Sequence, residues 1–407
     1  MSPVNARTTN GFRPGQLIEA LLRAGLGTPP ASIRHGSLAL PEEIDWTNVC
    51  AVAHRCRIAP VLYQCLRATS LSVSADVMNW FRVQYYAAVA RNMALLSDLR
   101  EVLRWFADAA VPALVLKGPA LAHLGLGAAR VSYDLDIMVH DADLRRVDAI
   151  LRAHGHRIWD GPPHEYHTRY TRSAGSGLSV VEIHFDISDR LRAYRPDLPG
   201  LWERSVETTI SGVPMRVPDL SDHMLLTIMQ LPHHHWAIRL VVDLWQIALR
   251  WGGQIDWQGV LDRAGSWQMR ILTRSVLDVL WSMFGAPLDP SVTAASSPRG
   301  YFERVQWRAA KHALVEQLEQ PFRPKLMLTV PFLLVDETKK IPGLVLKRSL
   351  GIGGSLEEST MAKAARRNIA TVAALPAIGR LLLEGIGGSS LHRGWSPETP
   401  RRPEEIN

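Results

Sequence analysis

The chain has 407 residues, of which 47% are hydrophobic and 21% charged; this balance excludes an intrinsically disordered protein and predicts two or three folded domains. Lys and Arg outnumber Asp and Glu by 46 to 39, for a formal net charge of +7. That excess favours polyanionic partners such as nucleotides, RNA or an acidic membrane surface, although a basic protein without such a partner fits the same count.

The N-terminal quarter of the chain has the pattern of a helical domain, which we place at residues 14–110. Apolar residues recur there at helical spacing, and residues 45–66 predict a packed helical hairpin. Residues 1–13 lack the apolar stretch of a signal peptide, so a cytoplasmic protein is expected.

Three cysteines lie in this helical region. They are too few for a disulfide framework, and their spacing matches no zinc-binding pattern. Reduced, mostly buried thiols are therefore predicted for Cys50, Cys56 and Cys65.

A small mixed α/β core is predicted for residues 111–217, where the pattern changes. Residues 112–117 form a short apolar run that predicts a buried strand. Gly118 ends the run, and a helix over residues 120–126 follows Pro119. Acidic and apolar residues then alternate over residues 134–139, which predicts a second strand.

The second half of this core continues the alternation of helix and strand. Residues 141–154 return to helical spacing, with Asp141 as the expected N-cap. Two strands are predicted at residues 165–171 and 178–185, joined by a hairpin turn in the glycine-rich segment 173–177.

Helical patterns resume after the core. A bundle is predicted at residues 218–290, with Ser221 capping its first helix. Residues 291–387 predict a helical or irregular extension, and residues 388–407 a disordered tail. The longest apolar stretch, residues 326–335, is about half the length that a transmembrane helix needs.

The spacing of Asp134 and Asp136 is the most informative feature of the chain. On a strand these side chains point to one face, with Cα atoms roughly 6.5 Å apart. Two adjacent carboxylates are stable mainly when a divalent cation neutralises them, and Mg²⁺, or Mn²⁺ in its place, prefers such ligands and substrate phosphates. Because a surface strand can carry this pattern by chance, its neighbours decide the interpretation.

Several neighbours of the acidic pair favour phosphate chemistry. Lys117 and Gly118 stand where a strand meets a helix N-terminus, whose free N–H groups suit a triphosphate. Arg130 suits bidentate contact with a phosphate. Glu182 on a later strand is a candidate third metal ligand, or a base for an incoming hydroxyl. His184 shares its face and either orients Glu182, contacts a phosphate or has only a structural role.

Two other features invite different interpretations. Residues 233–235 are three consecutive histidines, and with His223 and Asp243 they suggest zinc; adjacent histidines point apart on a helix, so a role in the cleft or contact with solvent is the alternative. The 13 tryptophans suggest base stacking, but their apolar neighbours favour core packing.

Together these motifs resemble the nucleotidyltransferase superfamily typified by DNA polymerase β and, more closely, a bacterial family of uncharacterised nucleotidyltransferases. The resemblance covers about residues 45–267. Where the wider superfamily has a serine after the glycine, this chain has Pro119. The matching elements are Leu116-Lys117-Gly118, Arg130, Asp134-Leu135-Asp136, Glu182-Ile183-His184, Gly212 to Pro218, His233 to His235, Asp243 and Asp256-Trp257.

The resemblance implies an α+β fold, with a small mixed-sheet nucleotidyltransferase core between helical N- and C-terminal domains. It implies transfer of a nucleoside monophosphate from an NTP, ATP being the first choice, to an acceptor hydroxyl or phosphate. Asp134, Asp136 and Glu182 are the expected catalytic and metal-binding residues, and Lys117, Gly118, Arg130 and His184 the nucleotide-binding ones.

The acceptor stays open at this point: a small molecule, a peptide, a protein or an RNA end would each fit. The alternative function is a non-catalytic nucleotide- or peptide-binding protein that retains the fold. An RNA-binding protein is a third interpretation, which rests on charge alone.

Overall fold

A computed structural model defines the fold, which is α+β, with a seven-stranded mixed sheet between helices that precede and follow it. This confirms the fold class expected from the sequence. Predictions for residues 309–335 and 337–407 lie outside the described part of the chain. The structure describes residues 17–18, 20–22, 25, 44–69, 71–126, 130–160, 166–174, 177–187, 194–210, 213–234, 237–296, 300–301, 303–308 and 336.

After the helical residues 17–18, 20–22 and 25, the described part of the chain has three helices with defined bounds before the sheet. Polar or proline residues fix where these three begin. The Asp45 carboxylate accepts a hydrogen bond from the Asn48 N–H at the start of the first helix. Pro60 lies in the first turn of the second, and the Ser74 hydroxyl caps the third. The helices are α1 (Trp46–Arg55), α2 (Ala59–Ala68) and α3 (Ala75–Asp108).

The predicted helical hairpin is thus present as α1 and α2. None of the three cysteines forms a disulfide. Cys65 is buried, whereas Cys50 and Cys56 are half-buried.

The sheet has the strand order β3-β4-β5-β2-β1-β7-β6. Strand β2 runs antiparallel to β1 and parallel to β5, and β4 and β5 form an antiparallel hairpin. The strands are β1 (Leu114–Val115), β2 (Leu135–Met138), β3 (Arg157–Ile158), β4 (His167–Ala174), β5 (Gly177–His184), β6 (Val206–Ile210) and β7 (Val213–Val217).

The two faces of the sheet have different surroundings because strand side chains alternate. Leu135 and Ile137 of β2 share one face with Val181 and Ile183 of β5, in a core that also holds apolar residues of α3. Asp136 lies between Leu135 and Ile137, so it faces the other way. The opposite face therefore presents polar side chains at the centre of the sheet.

The remaining helices complete the fold. In the described part of the chain, no helix is long and apolar enough to cross a membrane. These helices are α4 (Lys117–His123), α5 (Leu144–Ala153), α6 (Leu198–Arg204), α7 (Leu220–His233), α8 (Ile238–Trp251), α9 (Trp257–Ser266), α10 (Arg270–Phe284) and α11 (Pro290–Ser296).

Two predicted helix caps are wrong. Asp141 begins a 3₁₀ turn, Asp141–Asp143, and its side chain caps no helix. Ser221 lies inside α7, which is capped instead by the Asp219 carboxylate through the N–H of Asp222. The N-cap position of α5 falls on Asp143, whose side chain forms no cap, and that of α7 falls on Asp219. Sequence spacing does not separate candidates one or two residues apart.

Candidate active site

The junction of β1 and α4 brings Lys117 and Gly118 to the centre of the sheet. The N–H of Leu116 donates to the carbonyl of Asp136 over 2.9 Å, and α4 begins at the next residue, without the separate turn that the sequence predicted. Lys117 adopts a φ of +49°, a conformation that costs energy for a residue with a side chain. A firmly held backbone at this position is a common feature of functional sites.

Gly118 is required here by close packing. A Cβ atom added at this position would lie 2.6 Å from Ser132 Oγ and 2.7 Å from Arg130 Nη1. Both distances are too short for a real contact, so a larger residue must displace the ends of both side chains, which are hydrogen-bonded to each other. The glycine thus lets the start of α4 approach Arg130.

The three predicted acids come together at one cavity. Strands β2 and β5 are parallel, and Asp136 lies directly opposite Glu182 in their register. Asp134 precedes β2 in a bend, instead of lying on the strand as predicted. Asp136 is 2% exposed and Glu182 4% exposed, and all three acids line a cavity of about 340 Å³.

Cationic and imidazole groups of the protein contact two of these acids. The Lys117 ammonium forms an ion pair with Asp136, and His184 Nε2 lies 2.9 Å from the same carboxylate. Arg169 on β4 donates from Nε to Glu182 Oε1 over 2.9 Å. Because all of these residues also line the cavity, the carboxylates are paired but still reachable.

Burial and neighbouring carboxylates change the pKa of Asp134. Burial, together with the charges of Asp136 and Glu182, raises the pKa of its carboxyl to about 6. Burial alone would also raise the pKa of Asp136, but Lys117 and His184 outweigh it and hold that pKa below its usual range. The potential at Asp134 therefore favours a cation.

Arg130 is held by residues other than the three candidate catalytic acids. Its Nε donates to Asp243 Oδ2 of α8 over 2.9 Å, and its Nη1 donates to Ser132 Oγ over 2.7 Å. The guanidinium still lines the cavity. Phosphate contact by Arg130 stays a prediction, and the structure adds a contact with the helical bundle.

Arginines from distant segments also line the cavity, and sequence reasoning missed them. Arg57 follows α1, and Arg239 lies in the first turn of α8. Burial and the neighbouring Arg130 lower the pKa of Arg239 to about 10. Among the described residues, no carboxylate lies within 4 Å of its guanidinium. A desolvated cation without a paired carboxylate is suited to bind an anion.

The zinc site suggested by the histidine run gains no support. Asp243 is engaged by Arg130, and His234 lines the active-site cavity. Residue 235 lies outside the described part of the chain. The one group of metal-ligating side chains found among the described residues is His167, Glu182 and His184, and the sequence analysis did not select His167.

Comparison with solved structures gives partial matches. The solution structure of the antibiotic-resistance factor ANT(2'')-Ia matches with 16% identity and a TM-score of 0.33, covering 44% of this chain and 94% of that one. The crystal structure of ANT(2'')-Ia in complex with adenylyl-2''-tobramycin matches with 15% identity and a TM-score of 0.30, covering 43% and 97%.

Comparison with protein sequences gives a family. No curated protein matches the chain significantly. A family model described as uncharacterised nucleotidyltransferase matches residues 42–285, which is more than half of the 407 residues. The chain therefore belongs to this nucleotidyltransferase family.

Proposed function

We propose that the protein transfers a nucleoside monophosphate from an NTP to an acceptor, with a divalent cation, and releases pyrophosphate. One observation carries this proposal. Asp136 and Glu182 on adjacent strands and Asp134 in the bend before β2 line one cavity, and Arg130 and Arg239 line the same cavity. Grouped carboxylates and arginines are the two components that a metal-bound triphosphate requires.

The donor set fits a hard divalent cation. Carboxylate oxygens are the ligands that Mg²⁺ and Mn²⁺ prefer. Burial first, and then the charges of Asp136 and Glu182, raise the pKa of Asp134. Asp134, Asp136 and Glu182 would hold the ion, which when bound neutralises charge on the triphosphate and polarises the phosphorus under attack.

The basic residues bind and orient the nucleotide. Arg130 and Arg239 contact the triphosphate, and Arg57 lines the same cavity. Lys117 is held by Asp136 in the free protein and moves to a phosphate oxygen when the nucleotide is bound. Gly118 leaves room for Arg130 beside the start of α4.

The reaction forms one bond and breaks one. An acceptor oxygen bonds to the α-phosphorus of the NTP, and the bond from that phosphorus to the oxygen shared with the β-phosphate breaks, so this oxygen leaves with the pyrophosphate. The acceptor proton passes to a carboxylate or to water. Arg169 holds Oε1 of Glu182, so Oε2 serves as a metal ligand or as the proton acceptor.

The volume of the cavity limits how much of the nucleotide and the acceptor it can enclose. About 340 Å³ is at the lower end of the range for small-molecule sites. It accommodates part of a nucleotide, so the acceptor approaches from the open side. ATP is our first choice of nucleotide, and a small molecule, a peptide, a protein or an RNA end each stays a candidate acceptor.

A labelled NTP tests this function. The full chain is incubated with Mg²⁺, with NTPs labelled at the α-phosphate and with pools of candidate acceptors. Transfer of the label to an acceptor and release of pyrophosphate are both measured. We expect Asp136→Asn to lose at least about 100-fold of this turnover, because it removes charge at the reacting centre. Asp141→Asn, at an exposed acid after the same strand, is the matched control and should retain it. Wild-type turnover in Asp136→Asn would contradict the proposal.

The charge balance favours a second candidate. Lys117 and Arg169 already neutralise Asp136 and Glu182 within the protein, so the cluster is stable without an ion. A nucleotide-binding protein without turnover would keep this arrangement. NTP binding that needs Arg239, without pyrophosphate release for any acceptor, would favour this candidate.

A further inference from the structure

Two histidines flank Glu182 on the polar face of the sheet. His167 of β4 pairs with His184 of β5 in the hairpin register, and Glu182 lies two residues before His184 on the same face. Each of the three side chains offers one ligand atom, and these atoms all lie within 4.8 Å of one another. All three residues are buried, with His184 only 1% exposed.

The distances are close to those of a coordinated ion. His167 Nε2 lies 3.7 Å from Glu182 Oε1, and His184 Nε2 lies 3.8 Å from Glu182 Oε2. With bonds of about 2.1 Å in tetrahedral geometry, two ligand atoms are roughly 3.4 Å apart. These two contacts use different oxygens of Glu182, and one ligand atom from each residue lies within 4.8 Å of the others. Side-chain movements of about an ångström therefore close the site around an ion.

The two imidazoles and one carboxylate of this group favour some metal ions over others. Imidazole suits Zn²⁺ and similar transition metals, whereas Mg²⁺ prefers sites made of oxygen ligands. Two histidines and one carboxylate are also a ligand set of catalytic zinc sites, which keep one position open for water or substrate. His167, Glu182 and His184 all line the cavity, so the open position faces the space that a substrate enters.

We propose that His167, Glu182 and His184 form a binding site for a divalent transition metal of the Zn²⁺ class, beside the carboxylates expected to hold Mg²⁺. The role of this ion in nucleotidyl transfer rests on the proposed function, but its binding does not. The ion shares Glu182 with the first site and exposes its open position to the phosphates or the acceptor.

The groups that face this site set its affinity. Arg169 competes for Glu182, since its Nε lies 2.9 Å from Oε1. His184 Nε2 contacts Asp136 Oδ1 at 2.9 Å, so an ion that takes this nitrogen also reaches the Asp136 carboxylate. Removing the positive charge of Arg169 should therefore tighten metal binding, which a fortuitous surface site would not show.

Cobalt titration of the full chain tests the proposal. Co²⁺ replaces Zn²⁺ in such sites and gives visible absorption bands that are intense when few ligands surround it. We expect one equivalent per chain, reversed by Zn²⁺. His167→Ala and His184→Ala should each weaken binding by more than about 100-fold, since outer-shell partners alone contribute 10- to 100-fold.

Three further variants separate the possible causes. His154→Ala, at an exposed histidine stacked on Trp105, should bind Co²⁺ like the wild type. Arg169→Gln should bind it at least about threefold more tightly, a gain that misfolding would not produce. Asp134→Asn should keep the cobalt bands even where it abolishes transfer.

The outcomes distinguish this proposal from the proposed function. Absent cobalt bands, or bands that persist unchanged in both histidine variants, would overturn the transition-metal site and leave Mg²⁺-dependent transfer standing. Intact cobalt binding together with absent transfer would overturn the function alone.

Discussion

At the scale of single residues, Arg239 shows that a group suited to bind an anion can lower the stability of the folded protein. Its guanidinium is half-buried in α8, and burial and Arg130 lower its pKa to about 10. Asp243, one helical turn along α8, already pairs with Arg130. The arrangement disfavours the folded protein and favours an anion in the cavity.

Replacing Arg239 should therefore weaken nucleotide binding without lowering the stability of the fold. We expect Arg239→Gln to lose at least about tenfold in affinity for a non-hydrolysable ATP analogue, which is about 1.4 kcal/mol. Its free energy of unfolding should stay within about 0.5 kcal/mol of the wild type or rise. Calorimetric titration and urea denaturation measure the two effects.

A control variant lies on the same helix. Arg250→Gln removes an exposed hydrogen bond to the carbonyl of Gly125 and should leave nucleotide affinity unchanged. Equal loss of affinity in both variants, or a large loss of stability in Arg239→Gln, would assign Arg239 a structural role instead.

At the scale of elements, Asp222 connects three helices through one carboxylate. It lies in the first turn of α7, is fully buried and accepts from Arg204 Nε over 3.0 Å. Arg263 of α9 donates from Nη1 to the other oxygen over 2.7 Å. The network links α6, α7 and α9, and so joins the connection before β6 to the helical bundle.

Removing this carboxylate should destabilise the fold. We expect Asp222→Ala to lower the free energy of unfolding by about 2 kcal/mol. Two arginines lose their shared buried partner, while Arg204 keeps Asp197 and Arg263 keeps Asp219. Asp262→Asn, at an exposed acid on α9 that binds only Gln258 among the described residues, should change it by less than about 0.5 kcal/mol. Urea denaturation measures the free energy of unfolding of both variants. Similar losses in the two variants would show that the Asp222 network does not account for the loss of stability.

The sequence predicted these elements unevenly, for physical reasons. Strand β2 was predictable because apolar residues on both sides of Asp136 alternate with it. The β6–β7 hairpin was missed because β6 lies at the sheet edge with Val206 and Glu207 exposed, where burial imposes little pattern. Register could have identified more: once β4 and β5 are taken as a tight hairpin, Arg169 must lie opposite Glu182.

At the scale of the whole molecule, the Arg130–Asp243 ion pair joins the sheet to the helical bundle. The two residues are 113 positions apart, and both side chains are less than 10% exposed. The acids come from β2, β5 and the bend before β2, whereas Arg239 and Asp243 come from α8. The cavity therefore exists only when the two parts of the chain are packed together, which is why sequence spacing identified the acids but not Arg57 or Arg239.

The Arg130–Asp243 ion pair should contribute both to the stability of the fold and to nucleotide binding. We expect Asp243→Ala to lower the free energy of unfolding by about 3 kcal/mol, because it leaves a buried guanidinium unpaired. The double variant Arg130→Met/Asp243→Leu should recover most of this loss, since apolar replacement of a buried pair is often neutral. Its affinity for the ATP analogue should nevertheless stay at least about tenfold weaker than that of the wild type.

Thermal denaturation and calorimetric titration of the two variants test this expectation. Full recovery of nucleotide affinity in the double variant would show that Arg130 serves only to pack the sheet against the bundle.

The most direct test of the account is the Mg²⁺ dependence of NTP binding, which needs no acceptor. The affinity of the full chain for a non-hydrolysable ATP analogue is measured with and without Mg²⁺, in the wild type and in Asp136→Asn. We expect Mg²⁺ to tighten binding at least about tenfold in the wild type and to have almost no effect in the variant. An affinity that does not respond to Mg²⁺ in the wild type, or responds equally in both proteins, would contradict a metal-binding role for these carboxylates.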